Sequence, residues 1–335
     1  MKRNLLLLLA LAALGGITWY FIGTSGTSTL QRELSDFAVE DTASITKIFI
    51  ATKEGQQITL KRKDANTWIV NDAFIARPDA IRLLLLTIKQ VEVRSPVGKR
   101  AYNNIIKRIA ANGVKCEVYA KDELLKTYYV GGPNQDQLGT YMYLENSAVP
   151  FITHIPGFNG YLTPRYITNI YDWRDKRVFA IANGNIKQLQ IESRELPNID
   201  FSLAVNGAKD FQITDKLSNE SYAADADKIA MYLKIIGKSS FEGVETHLSR
   251  QVIDSTLNLG WFRKITVTTG DGKEIMMQMY KLKNLEVDPD ATEPPPNRPI
   301  HDKDRFLARI NEDSLFVLAQ YQMFDKLFQK PEIFK

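Results

Sequence analysis

Apolar and polar residues alternate along short runs from Ile45 onward, and the runs recur in the same order twice. Ile45-Thr46-Lys47-Ile48-Phe49-Ile50 opens the first series, Gly55 marks a turn, and Gln57–Arg62 reads as the returning strand. Asp64-Ala65-Asn66 predicts a second turn before a strand at Thr67–Val70. Pro78 suits the first turn of a helix reaching about Gln90, with Ile81, Leu84, Leu85 and Ile88 on one face. A second helix, Asn103–Ala111, is predicted to stop at Asn112-Gly113. Strands follow at Val114–Ala120, Leu124–Val130, Thr140–Glu145 and Pro150–His154.

The second series begins at Ile186–Ile191 and continues through strands at Phe201–Val205 and Phe211–Thr214. A helix is predicted over Ala223–Ile236, with Ile229, Leu233 and Ile236 on its apolar side, and another over Val252–Leu259, stopped by Gly260. Phe262–Thr268, Glu274–Tyr280, Phe306–Ile310 and Leu315–Ala319 read as strands, and Phe324–Phe328 as a short closing helix. In both series a helix of about two turns ends at a glycine and an alternating strand starts at once. Gly113 and Gly260 lie too far apart for a solenoid period. The expected fold is α+β, with two similar lobes at 44–180 and 181–335. Each is expected to be a mainly antiparallel sheet with helices packed on one face.

The two series differ in one connection. The first has Gly131 to Gly139, whereas the second has Asn284 to Asp304, including Pro294, Pro295, Pro296, Arg298 and Pro299. Prolines lack the amide proton needed for sheet pairing, so residues 284–304 are expected to project as a solvated hairpin tip or as a docking loop for another subunit.

Ahead of the lobes the pattern changes. Lys2 and Arg3 precede an apolar run from Leu5 to Ile22 that includes Leu9 and Leu14, with Trp19 and Tyr20 near its far end. About 18 residues at a rise of 1.5 Å span about 27 Å, close to the thickness of a bilayer core. The run's ten most insertion-prone residues favour the membrane by roughly 3–6 kcal/mol in sum. Positive charge before the run and Glu33, Asp36, Glu40 and Asp41 after it place the N-terminus in the cytoplasm and the body outside. Residues 1–24 are therefore expected to form a membrane anchor or uncleaved signal, and 25–43 a linker. A cleaved signal peptide is the competing expectation, but the small residues at Ala10-Leu11-Ala12 and Gly23-Thr24-Ser25 bracket a core of the wrong length. Either way the body is exported, to the outer side of the cytoplasmic membrane of a bacterium.

Composition narrows the classes. The chain has 335 residues, is 44% hydrophobic and 24% charged, and carries a formal net charge of +4 with both signs interspersed. That is a globular composition without the basic stripe of a nucleic-acid binder. Its single cysteine, Cys116, lies in an alternating run and reads as a small buried core residue. His154, His247 and His301 are far apart, without metal-pair spacing. There is no Gly-x-Ser-x-Gly elbow, no phosphate loop, and no distinctive carboxylate pair. No catalytic, cofactor-binding or metal-ligating residue is expected.

The densest unusual stretch is Tyr161 to Tyr166, with Arg165, followed by Tyr171-Asp172-Trp173-Arg174-Asp175-Lys176-Arg177-Val178-Phe179, between the two series. It is expected to form an inter-lobe junction with Trp173 filling a pocket. A protein contact surface and an aromatic platform for a glycan are the alternatives, since Trp, Tyr and Arg are enriched at binding hot spots.

These residues carry a resemblance. Trp68-Ile69-Val70, Leu83-Leu84-Leu85, Val130-Gly131-Gly132, Gly139-Thr140-Tyr141, Ile155-Pro156-Gly157 and Asp172-Trp173-Arg174-Asp175 resemble the bacterial family described as domain of unknown function 4340, over roughly residues 45–180. The resemblance implies a membrane-anchored extracytoplasmic protein associated with auxiliary subunits of gliding-type ABC transporters, and supplies no site residues. Together these readings give the expectation of a non-enzymatic accessory or scaffold subunit of an envelope ABC-type transport or motility complex. It would have no cofactor, and its partners would be the cytoplasmic membrane and a membrane protein complex. The alternative is a periplasmic protein that binds a glycan, peptide or lipid as a small ligand in the cleft between lobes.

Overall fold

Alternating burial sets the first sheet. In β1 (Lys47–Thr52) Ile48 and Ile50 point into the core, and the strand pairs antiparallel with β2 (Gln57–Arg62) on one side and β6 (Val114–Ala120) on the other. The computed structural model describes residues 35–181, 185–283, 301–311, 313 and 315–335. The anchor residues Leu5, Leu9, Leu14, Trp19, Tyr20 and Ile22 and the loop residues Pro294, Pro295, Pro296 and Arg298 lie outside them. Among the described residues, no helix is long and apolar enough to cross a membrane. The chain divides into two compact units between Asp175 and Lys176.

In the first unit, β1 and β2 are followed by β3 (Trp68–Val70), β4 (Phe74–Ile75), α1 (Pro78–Gln90), β5 (Glu92–Pro96) and α2 (Lys99–Asn112). After β6 come β7 (Glu123–Pro133), β8 (Thr140–Leu144), β9 (Phe151–His154) and the single turn α3 (Ile170–Trp173). The nine strands stand in the order β4-β3-β2-β1-β6-β7-β8-β9-β5, antiparallel throughout. After α1 the chain enters the far edge beside β9. After α2 it returns to the centre beside β1.

The second unit repeats this order element for element. It runs β10 (Ile186–Ser193), β11 (Phe201–Val205), β12 (Phe211–Asp215), β13 (Ser221–Ala223), α4 (Ala226–Ile236), β14 (Gly243–Glu245) and α5 (Arg250–Leu259). It continues with β15 (Arg263–Thr269), β16 (Glu274–Lys283), β17 (His301–Ile310), β18 (Phe316–Gln320) and α6 (Tyr321–Phe324). Its nine-stranded sheet is β13-β12-β11-β10-β15-β16-β17-β18-β14, the first order shifted by nine. Two antiparallel sheets with a few helices make the protein α+β.

The helices do not share a face, contrary to the sequence expectation. Ile81, Leu84 and Ile88 of α1 join the core containing Ile48, Cys116, Tyr128, Met142 and Phe151. Ile105 and Ile109 of α2 instead pack with Tyr129, Tyr141, Tyr143 and Ile152, which alternate with the first set along β7, β8 and β9. Residues of opposite parity on a strand face opposite ways, so α1 and α2 cover opposite sides of the sheet. In the second unit, Ile229, Tyr232 and Ile236 of α4 pack over Met277 and Phe306, whereas Ile253 and Leu257 of α5 pack with Tyr280, Leu307 and Phe316. Each outgoing connection covers one face and each return covers the other.

Four short strands had no clear signal in the pattern. β4, β13 and β14 have two or three residues, and β5 is polar and ends in a proline. All four occupy edges of the sheets, where short length and charge or proline discourage further pairing. α2 begins at Lys99, ahead of the expected Asn103, because its first turn is polar and mostly exposed.

Cys116 of β6 lies opposite Ile50 and is fully buried. Burial pushes its thiol up from 9.0 to about 12. Since the thiolate is the nucleophile, the native protein at pH 8 is expected to react with an aromatic disulfide reagent only through unfolding. Labelling should track the urea unfolding curve; rapid stoichiometric labelling without denaturant would contradict the buried placement.

Candidate functional site

As far as Asp175, the stretch that stands out in the sequence forms a latch within the first unit, whereas Lys176 to Phe179 belong to the second. Asp172 to Asp175 runs beside the chain that leaves β4. The Asp175 N–H donates to Ile75 O at 2.8 Å, the Arg77 N–H donates to Trp173 O at 2.7 Å, and Ala76 and Arg174 form an antiparallel bridge. Asn169 caps α3 by accepting from the Tyr171 N–H. Trp173 is fully buried in the first core, and its indole N–H donates to Ile167 O at 3.0 Å. The Arg174 guanidinium lies 4.5 Å from the ring centre of Phe74. Arg77 pairs with Asp79 at 2.5 Å. That hydrogen bond raises the Arg77 pKa, with Asp172 and Asp175 adding to the charge that favours the cation.

Tyr166 is also buried, its hydroxyl 3.2 Å from that of Tyr128, and burial pushes the pKa of both phenols up. Tyr161 is half-buried. The glycan platform expected from Tyr161, Tyr166 and Trp173 therefore loses two of its three rings: Tyr166 and Trp173 are interior to the first unit and present no face to a sugar.

His154, His247 and His301 lie on β9, in the segment before α5, and at the start of β17. Burial and the nearby Lys281 and Lys283 lower the pKa of His301. Among the described residues, no group of three or more His, Cys, Asp or Glu side chains could hold a metal ion.

A cleft opens in the second unit, and of the stretch singled out in the sequence only Arg177 and Phe179 reach it. Its floor is built by Phe179 and Ile181 ahead of β10, Ile186 at the start of that strand, Val205 and Phe211 across the β11–β12 turn, and Leu233 of α4. The cavity measures about 1010 Å³. α4 is fixed at its start by Asp225, whose carboxylate accepts from the Asp227 and Lys228 N–H groups. The base is closed by Gly270, whose N–H donates to Asn185 O at 2.9 Å and Asn185 Oδ1 at 3.1 Å. A Cβ at position 270 would meet that Oδ1 at 2.5 Å, so a larger residue there would displace the Asn185 side chain.

Arg177, Lys187, Lys234 and Lys238 also line this cleft, and among the described residues no carboxylate does. These cations come from separate segments of the chain, so no motif connects them. Two signals were present nonetheless: Lys234 and Lys238 stand four residues apart at the end of α4, and the first copy has no lysine at the matching helix positions.

The chain belongs to the family described as Domain of unknown function (DUF4340), whose profile matches residues 72–252. The match is shifted relative to the resemblance read over 45–180. It omits β1 to β3, with Trp68-Ile69-Val70, and extends into the second unit as far as α5. No curated protein and no solved structure matches the chain.

Replacing Trp173 with alanine removes a fully buried indole and is expected to cost about 3–5 kcal/mol, read as a lower urea midpoint. Asp175→Ala, which keeps the backbone bond to Ile75, is expected to cost no more than about 1 kcal/mol. A Trp173→Ala loss below that of Asp175→Ala would contradict the latch.

Proposed function

We propose that this member of the family is a non-enzymatic, membrane-anchored accessory or scaffold subunit of an envelope transport or motility complex of the ABC type. In this reading residues 1–24 hold it at the outer face of the cytoplasmic membrane and the two units offer contact surfaces to membrane-embedded partners.

The observation that carries the reading is an exposed apolar residue at the same helix position in both copies. The buried positions Ile81, Leu84 and Ile88 of α1 match Ile229, Tyr232 and Ile236 of α4 at identical spacing. In that alignment Leu83 corresponds to Met231, and these side chains are 43% and 68% exposed. Leu86, one turn beyond Leu83, is 44% exposed. A single exposed leucine needs no explanation, but exposure at the same helix position in both copies supports a surface kept for contact. The apolar run at Leu5–Ile22 supports the membrane placement.

The full-length protein, extracted in a mild neutral detergent with an affinity tag, is expected to co-purify with an integral membrane protein identifiable as a transporter or motor subunit. Leu83→Glu with Leu86→Glu is expected to reduce recovery of that partner about tenfold or more while leaving the circular dichroism spectrum unchanged. Recovery only as a free monomer, or equal recovery with the double variant, would count against the reading.

A further inference from the structure

We propose that the cleft of the second unit binds an anionic amphiphile: one acyl chain seated on the apolar floor, with its carboxylate or phosphate held by Lys187, Lys234 and Lys238. This inference stands on the cleft alone and does not depend on the partner reading above.

The two copies can be aligned by strand register, which shows where they differ at the cleft. Ile48 of β1 pairs with Leu60 and Val118, and Leu189 of β10 pairs with Leu203 and Val267. Two residues further along, Arg62 pairs with Trp68 in the first copy, where Val205 pairs with Phe211 in the second. In the first copy this place is filled. Arg62 donates to Ile45 O at 2.7 Å and Thr42 O at 2.8 Å, and its guanidinium lies 4.7 Å from the ring centre of Trp68. In the second copy a valine and a smaller ring leave the floor open and apolar.

The second copy also carries charge around this open place. Lys187 stands two residues before Leu189, where the first copy has Thr46. Lys234 and Lys238 fall at the positions of Leu86 and Gln90, while Arg82 stands at the position of Ala230. The three lysines are exposed, and among the described residues none of them makes an ion pair. Lys234 lies in the last turn of α4 and Lys238 just beyond the helix, so one short segment brings two positive charges to the cleft. The C-terminus of α4 contributes roughly half a negative charge, which three lysines outweigh.

Geometry and chemistry point the same way. A cavity of about 1010 Å³ is at the upper end of the size that takes a whole small molecule. An apolar floor rewards a hydrocarbon chain in proportion to the area it covers. Lysine stems can lie along such a chain while their ammonium groups reach the head. An uncharged lipid would leave the lysines unused, and a bare anion would leave the floor wet.

The test uses the full chain in a neutral maltoside detergent and palmitic acid carrying a diazirine on its chain, with cross-linked peptides mapped after illumination. Labelling is expected on peptides that contain Phe179, Val205, Phe211 or Leu233. Excess palmitate should suppress it, whereas hexadecanol or inorganic phosphate should not. Lys187→Gln with Lys234→Gln and Lys238→Gln should weaken labelling of these peptides about tenfold. Labelling absent from the cleft peptides, unchanged in the triple variant, or suppressed equally by hexadecanol or by phosphate would overturn the proposal.

Discussion

Each unit depends on one long-range antiparallel pairing at the centre of its sheet, β1 with β6 and β10 with β15. Ile48 meets Val118 and Leu189 meets Val267, so a long intervening chain must be stowed before the central strands can join. The fold stows it by sending the chain to the far edge of the sheet and back. The helix on the way out covers one face and the helix on the way back covers the other. One face of each sheet is thereby covered by the outgoing helix, and the other is covered over β7 to β9 and over β16 to β18 by the returning one.

The Asp172–Asp175 latch fits this scheme. At the end of the short edge strand β4 the segment carrying Trp173 supplies hydrogen-bond partners to Ile75 O and the Arg77 N–H, while the Ala76 N–H donates to Trp68 O. The tryptophan then fills the core from the end of the unit. A motif rich in Trp, Arg and Asp can look like a binding surface in sequence while serving the interior of a single unit.

Much of the fold was legible because it rests on local patterns. Alternation at Ile48 and Ile50 and the helical spacing of Ile81, Leu84 and Ile88 are enforced by one buried side of each element, and the repeated order followed from them. The placement of the helices was not legible. Tyr129, Tyr141 and Tyr143 are half-buried, and a tyrosine reads equally as a solvent-side or a packed residue. The edge strands were too short to alternate. The cleft was hidden for another reason: it is a difference between copies, at Arg62 and Val205 and at Trp68 and Phe211, and only strand register makes those positions comparable. The two units share one architecture but differ at this place, one closed by a stacked arginine and the other open and basic.

The family match covers 72–252 and so cuts across both sheets, whereas the pairing order makes each unit whole only with β1 to β3 or with β15 to β18 included. Native-state hydrogen exchange resolved to single amides distinguishes these two views of the structural unit. If the central pairings organise the protein, the slowest amides fall in two equivalent sets, on β1, β6 and β7 and on β10, β15 and β16. Protection confined to residues 72–252, with β1 and β15 exchanging early, would contradict the account.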